Sequence, residues 1–277
     1  MDTNNLKEIA RLVRGDVIEM LTRAGSGHPG GSLSVVDILV TLYYEVMRHN
    51  PERPDDDDRD RLILSKGHAA PALYAILSRL GYFDREWLWN LRKCGARLQG
   101  HPYAPDTPGV DASSGSLGQG LSFANGCAMR AKLDGKSYRV YCIIGDGETN
   151  EGQIWEASMT STRYGLDNLC CILDYNEFQI DGRIEDIKNP LPFRDKWEAF
   201  GWNVFNVNGH SFEELNRAFE EARKIKGKPT MIIARTVKGK GVSFMEGTLE
   251  WHGKAPTREE ADKALKELGF DGGIECV

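Results

Sequence analysis

A carboxylate stands between two glycines at the end of a short apolar run. The run covers residues 140–144, and Gly145, Asp146 and Gly147 follow it directly. Such a run is typical of a buried strand, and the glycines let the backbone approach a phosphate closely. A carboxylate placed there can hold a hard cation. The triplet therefore predicts a site for a metal-bound phosphate, with an ordinary Asp-Gly turn as the alternative.

A second polar residue follows the next apolar run. The segment "CCILDYN" ends in Asn176, 30 residues after Asp146. The carboxyl ends of neighbouring parallel strands meet at one edge of a sheet, so the two side chains are expected side by side. A carboxylate oxygen, an amide oxygen and a carbonyl of the following turn would form half of an octahedral Mg²⁺ shell. The alternative is that Asn176 only makes a turn.

Histidines recur beside glycines. Five of the six have a glycine neighbour, and His49 is the exception. Histidines in glycine-rich loops are poorly placed for core packing and well placed to meet a ligand. His210, in "VNGHSFEEL", is predicted to lie in a turn before a helix, and His49 at a helix end. The histidines expected to meet a ligand are His28, His68, His101 and His252.

The elements that must position these residues follow from hydrophobic periodicity. The first half predicts helices over 6–23, 34–46, 71–80 and 121–133. The second half alternates strands over 139–144, 169–174, 203–207 and 230–235 with helices over 152–164, 194–200, 212–225 and 258–268. This alternation predicts an α/β fold, with a mostly parallel central sheet flanked by helices on both faces. Ligands bind such sheets at the carboxyl ends of the strands.

Composition excludes several classes of function. The 277 residues predict one domain over 1–277, and a net charge of −6 argues against nucleic-acid binding. The sequence contains neither a signal-peptide pattern nor an apolar stretch of about 18 residues, so we expect no membrane association and a cytoplasmic location. The six cysteines form no C-x-x-C pair and are interpreted as buried hydrophobes: Cys94, Cys127, Cys142, Cys170, Cys171 and Cys276.

The spacing of the Gly-Asp-Gly triplet and the asparagine resembles the thiamin diphosphate fingerprint. Further segments resemble, in order and over nearly the whole chain, the N-terminal half of transketolase. They are "SGHPGGSLS", "LSKGHAAPALYA", "QGHP", "SGSLGQGLS", "GDGETNEGQIWEA" and "VKGKG…WHGKAP".

The resemblance implies roles for individual residues. Mg²⁺, or Ca²⁺ or Mn²⁺ in its place, would be bound by Asp146, Asn176 and the carbonyl of Phe178. The remaining cofactor contacts would come from His68, Gly115, Ser116, Leu117, Gly147, Lys238 and His252. Residues near the reacting sugar or the subunit interface would be His28, His101, His252 and Glu151.

The resemblance also implies a partner. Transketolase has further domains, one of which binds the pyrimidine ring and supplies its glutamate, and we expect these domains to be absent from this chain. Glu148 and Glu151 follow the Gly-Asp-Gly triplet and belong to the diphosphate end. A C-terminal transketolase subunit carrying the pyrimidine-binding domain would complete an α2β2 heterotetramer. One departure is Gly31, where some relatives have a serine that contacts the diphosphate.

Several functions remain open at this point. The leading hypothesis is the N-terminal subunit of a split transketolase, which moves a two-carbon ketol unit between sugars or sugar phosphates, as in the pentose phosphate pathway. The same chemistry on a specialised sugar is an alternative. A 1-deoxyxylulose-phosphate synthase and a non-catalytic scaffold with this fold are the others.

Overall fold

A parallel five-stranded sheet forms the centre of the molecule. The computed structural model describes residues 2–270. The sheet strands are β1 (Arg61–Leu64), β2 (Val140–Gly145), β3 (Leu169–Tyr175), β6 (Asn203–Asn208) and β7 (Thr230–Arg235), and a separate hairpin consists of β4 (Phe178–Gln179) and β5 (Gly182–Arg183). In the sheet the strands lie in the order β1-β2-β3-β7-β6, and every pair is parallel.

Helices cover both faces, because parallel strands require crossover connections and present apolar side chains on either side. The α-helices are α1 (Thr3–Ala24), α2 (Pro29–Ser34), α3 (Val36–Thr41), α4 (Ala70–Arg79), α5 (Gly120–Leu133), α6 (Gly152–Arg163), α7 (Ile184–Ile187), α8 (Phe193–Ala199), α9 (Phe212–Lys224) and α10 (Arg258–Glu267). The predicted fold class is therefore confirmed.

The alternation of strand side chains divides the core in two. Tyr141 and Ile143 of β2 pack into one cluster together with side chains of α1, α3, α4 and α9. Cys142 and Ile144 of the same strand point to the other cluster, which includes side chains of α5, α6 and α8. Both clusters are closed to solvent, so the strands are held rigidly and their carboxyl ends have fixed positions.

The predicted elements differ from the observed ones in several places, and the short helix α7 is among those not predicted. The helix predicted over 34–46 is divided into α2, α3 and a π-helical turn over Leu42–Val46, with a break at Val35. The strand β1 was not predicted, because four residues are too few to show a period. The hairpin of β4 and β5 was also not predicted.

The cysteine interpretation needs a partial correction. Cys142, Cys170 and Cys171 lie buried in the sheet, whereas Cys94 is exposed and Cys127 is half-buried. Cys94 follows a short 3₁₀ helix in the connection between α4 and α5, outside the regular elements of the core. Cys276 lies outside the described residues. Within residues 2–270, no helix combines the length and hydropathy that a membrane crossing needs.

Candidate active site

A cavity of about 340 Å³ opens at the carboxyl ends of the sheet strands. Loops that follow β1, β2, β3 and β7 all contribute to its wall. The predicted site residues in this wall are His28, His68, His101, Gly115, Leu117, Asp146, Gly147, Glu151, Asn176, Phe178, Lys238 and His252. Ser116 was also predicted to belong to the site, but it is exposed and is not among the described residues that line the cavity.

The predicted pair of metal ligands is brought together by the strand register. Gly145 at the end of β2 pairs with Asp174 in β3, so Asp146 and Asn176 follow two adjacent strands. Asp146 is only 2% exposed, and its carboxylate accepts hydrogen bonds from the N–H of Gly147 at 2.8 Å and of Glu177 at 2.6 Å. The carboxylate is thereby fixed in the floor of the cavity.

The electrostatics of Asp146 suit a cation. Burial, and then the nearby Asp174 carboxylate, raise the pKa of Asp146 to about 7. A bound cation would offset both effects. Among the described residues, no group of three or more His, Cys, Asp or Glu side chains could hold a metal. The oxygen set of Asp146, Asn176 and the Phe178 carbonyl fits Mg²⁺, which keeps part of its shell for phosphate and water.

Four histidine rings form the upper part of the cavity. The centroid of His28 lies 5.4 Å from that of His68, 6.3 Å from His101 and 5.8 Å from His252. His68 and His252 are stacked with centroids 5.6 Å apart. These residues come from four separate segments of the chain. The sequence pattern predicted them individually as ligand-facing, and the fold gathers them around one space.

The four rings are held in the neutral state. Burial, and then positive neighbours, lower the pKa of His28 to about 4 and that of His252 to about 3. Burial is also the main cause that lowers the pKa of His68 and that of His101. Neutral imidazoles can accept a proton or a hydrogen bond, and each can also donate through its other nitrogen.

Lys238 lies against this histidine group. Its Nζ donates to Nδ1 of His252 at 2.7 Å, which leaves Nε2 as the protonated nitrogen of that ring. Burial lowers the pKa of Lys238 to about 8. In contrast, Nδ1 of His28 is buried and has no hydrogen-bond partner among the described residues. A cation and an unsatisfied ring nitrogen thus face a cavity that an anionic, polar ligand would complete.

Missing side chains create the space for such a ligand. A Cβ on Gly115 would lie 3.1 Å from the His101 ring, and one on Gly31 would lie 3.1 Å from Nε2 of His68. The departure at Gly31 therefore has a structural counterpart, because a serine there would press on His68. Gly115 also has a φ of 143°, which favours glycine.

A buried ion pair beneath the histidines was missed by the sequence reasoning. Nζ of Lys66 donates to the Asp174 carboxylate and, at 3.0 Å, to the carbonyl of Gly31. Asp174 also accepts hydrogen bonds from the hydroxyls of Ser34, at 2.6 Å, and of Thr236. The only signal in the sequence is a charged residue at the end of an apolar strand, which by itself does not indicate a partner.

Three other sequence predictions have clear outcomes. Glu151 is exposed at the start of α6 and forms part of the cavity rim. His210 does precede a helix, but Nδ1 also lies 2.6 Å from Asp37 and Nε2 accepts the N–H of Val237 at 2.9 Å. Nε2 of His49 lies 2.7 Å from the carbonyl of Tyr43, after the π-helical turn.

Comparisons with known proteins identify the family of this chain. A family model described as "Transketolase, thiamine diphosphate binding domain" matches residues 5–275. The chain is 45% identical over 269 residues to "6-deoxy-6-sulfo-D-fructose transketolase subunit SqwG" of Clostridium sp. (strain MSTE9), covering 97% of this chain and 98% of the relative. It is 42% identical to one of the subunits of the apulose-4-phosphate transketolase of Phocaeicola vulgatus, covering 92% and 90%.

Solved structures of transketolases are also similar to this chain. The transketolase of Campylobacter jejuni superposes with a TM-score of 0.93 at 38% identity, covering 99% of this chain. The chain spans 44% of that protein and 42% of human transketolase. The match in sequence and fold extends over almost all of this chain and less than half of the larger enzymes. The chain therefore belongs to the transketolase family, and it is a thiamine diphosphate binding domain of that family.

Proposed function

We propose that this chain is one subunit of a split transketolase, which transfers a two-carbon ketol unit from a ketose donor to an aldose acceptor together with a partner subunit. The observation that carries the proposal is the composition of the cavity. Asp146 and Asn176 lie at its floor and four neutral histidines around it. This arrangement combines a cation site, an anion site and groups that can move protons.

The floor of the cavity would hold the metal and the diphosphate of the cofactor. Asp146, Asn176 and the Phe178 carbonyl would bind Mg²⁺, and Lys238 and His68 would neutralise and orient the phosphates. Gly147 leaves room for the backbone to approach. When bound, thiamin diphosphate supplies the carbanion stabilisation that breaking a carbon–carbon bond of a ketose requires. The protein supplies binding, orientation and charge.

His28, His101 and His252 would serve the sugar. Their lowered pKa keeps them neutral at physiological pH, so His28 and His101 each have a nitrogen that can accept a hydroxyl proton, and the protonated Nε2 of His252 can donate a hydrogen bond. His252 is oriented by Lys238, and His28 has a free buried nitrogen that a sugar hydroxyl could satisfy. We assign these three residues to proton transfer and hydrogen bonding at the reacting carbons.

A partner chain would complete the site. The two relatives at 45% and 42% identity are named as subunits, and both are about as long as this chain. Apolar side chains stand exposed on α5 and at α6, with Phe123 at 51%, Met159 at 54% and Tyr164 at 61% exposure. Ile180, on the hairpin beside the cavity, is 70% exposed. We propose that a chain with a pyrimidine-binding domain covers this side and that two copies of each chain assemble, each cofactor lying between unlike subunits.

The sugar is proposed to be a specialised one. The names of the two relatives refer to a sulfonated deoxyfructose and to apulose 4-phosphate, and both sugars carry an anionic group. On the basis of these two names, we favour a ketose phosphate or sulfonate donor used in a dedicated pathway over the common pentose phosphates.

Reconstitution tests the proposal. The purified chain alone should show no ketol transfer, whereas mixing it with a second chain that carries the pyrimidine-binding domain should restore turnover with thiamin diphosphate and Mg²⁺. A panel of ketose phosphates, ketose sulfonates and neutral ketoses then identifies the donor. Full turnover by the single chain would contradict the need for a partner. Absence of turnover from the pair with every donor would contradict the activity.

A further inference from the structure

Glu148 is a buried acid whose position the cofactor ligands do not explain. It follows the Gly-Asp-Gly triplet and is only 2% exposed. Its Oε1 accepts hydrogen bonds from the hydroxyl of Ser65 and from the N–H of Gly118, the latter at 2.8 Å, and its Oε2 accepts the N–H of Gly145 at 3.0 Å. One carboxylate thus receives three hydrogen bonds from three separate segments.

Each of these three segments carries part of the cavity wall. Ser65 directly precedes Lys66 and stands three residues before His68, in the loop that follows β1. Gly118 follows Gly115 and Leu117, which line the cavity. Gly145 directly precedes Asp146. The carboxylate therefore joins three segments. The first carries Lys66 and His68, the second is the glycine loop that faces the cofactor, and the third carries the proposed metal ligand Asp146.

A fourth contact extends the network. The N–H of Gly120, at the start of α5, donates to the Ser65 hydroxyl at 3.1 Å, so that hydroxyl accepts from one loop and donates to Glu148. The backbones are packed closely here, because a Cβ on Gly120 would lie 2.7 Å from the Ser65 Cα. Close backbone contact and the Glu148 carboxylate therefore act at the same point between these segments.

We propose that Glu148 is a positioning residue that fixes the spacing of the three loops around the cofactor site, so that His68, Gly115 and Asp146 meet thiamin diphosphate together. The inference rests on the proposed function, since it takes these loops to hold that cofactor. Glu148 also lines the cavity, but the proposed role acts through the loops and not through contact with the cofactor or the sugar.

The chemistry of the network requires a carboxylate. All three groups around Glu148 are donors, and an ionised carboxylate is an acceptor on both oxygens. A glutamine has the same shape but carries one NH₂ group, which is a donor. This group would face another donor, either the Gly145 N–H or the pair formed by the Gly118 N–H and the Ser65 hydroxyl. An aspartate keeps the charge but is one methylene shorter, so it cannot reach all three donors at once. The glutamine variant therefore tests the charge of the side chain, and the aspartate variant tests its length.

The test uses Glu148→Gln and Glu148→Asp in the full chain, with Glu220→Gln on the exposed face of α9 as the matched control. Hydrogen bonds to a charged group typically contribute enough that losing one or two lowers affinity about 10- to 100-fold. Calorimetric titration of the assembled pair with thiamin diphosphate and Mg²⁺ should show this loss for both Glu148 variants. At saturating cofactor, the KM for the sugar should stay unchanged and turnover should recover.

A second readout does not depend on the cofactor. Hydrogen–deuterium exchange of the cofactor-free chain should be faster at the amides of Gly118 and Gly145 in Glu148→Gln than in the wild type and Glu220→Gln. If Glu148→Gln exchanges faster but the wild type binds no cofactor, the role of Glu148 in the network is supported and the proposed function is contradicted. Unchanged exchange and cofactor affinity within twofold of the wild type in both folded variants would overturn the positioning role. If Glu148→Gln does not fold, Glu148→Asp decides by the same two measurements.

Discussion

The carboxyl edge of the sheet carries two openings that differ in character. The cavity above β2 and β3 measures about 340 Å³, and a cleft above β6 and β7 measures about 520 Å³. Asn206, Asn208 and Arg235 in the larger cleft are exposed to solvent. The smaller cavity is lined by buried and half-buried ionisable groups whose pKa values are shifted, among them Asp146, His68 and Lys238. Volume and position at the strand ends are therefore insufficient to define a site.

The histidines show the difference most directly. His210 in the larger cleft uses both ring nitrogens, one with the Asp37 carboxylate and one with the N–H of Val237. His28 in the smaller cavity keeps a buried Nδ1 without a partner among residues 2–270. A fully bonded histidine stabilises the fold, whereas an unsatisfied one is available to a ligand. The polar groups that the protein leaves incomplete indicate where the ligand binds.

The largest expected effect is at Asp146. Asp146→Ala should lower the affinity for thiamin diphosphate with Mg²⁺ by more than about 100-fold, because it removes the charged ligand of a cation that needs nearly ideal geometry. Asn206→Ala in the β6–β7 cleft should leave this affinity unchanged. Calorimetric titration of the assembled enzyme measures both. Equal affinities for Asp146→Ala and wild type would contradict the metal assignment.

A smaller effect, on rate, is expected from the histidines. His101→Ala and His252→Ala should each lower ketol transfer about 10²- to 10⁴-fold, the usual contribution of a positioned acid–base group. Cofactor should remain bound, and its affinity provides the internal control for correct folding. Steady-state kinetics at saturating cofactor tests this. Rates within a few-fold of wild type would make these two rings structural, as His210 is.

The smallest effect concerns pH and stability. The pKa of His28 lies near 4 in the folded chain, against an ordinary value of 6.5. Between these values the unfolded chain binds more protons, so the stability of the cofactor-free protein should fall as pH decreases from 6.5 toward 4. His28→Asn should weaken this fall. Urea unfolding at pH 7 and pH 5 measures it, with Glu220→Gln as control, and an equally steep fall in both variants would contradict the assignment.

The sequence predicted the site where the chemistry depends on strand periodicity. Apolar runs that end before Asp146 and Asn176 place both residues at one edge of a parallel sheet, and the register confirms this placement. The glycine neighbours of His28, His68 and His101 identified loop positions that do line the cavity. Local patterns sufficed for Asp146 and Asn176 because each is placed by the strand directly before it.

The remaining features depend on contacts between distant segments. Lys66 and Asp174 are 108 residues apart, and Ser65 and Glu148 are 83 apart. Neither pair shows a periodic or motif signal, since a buried charge is recognisable only by its partner. The break between α2 and α3 at Val35 was missed because the apolar pattern continues through it. Tertiary packing, and not local preference, determines these features.

The ion pair of Lys66 and Asp174 limits which substitutions this chain can accept. Both side chains are almost inaccessible to solvent, at 1% and 0% exposure, so either charge without the other would be buried and uncompensated. Mutational paths that change one residue at a time pass through a poorly folded intermediate, whereas coordinated replacement of both avoids it. Recombination of this chain with a relative should therefore preserve folding when crossover points keep the loop after β1 and the end of β3 from the same parent.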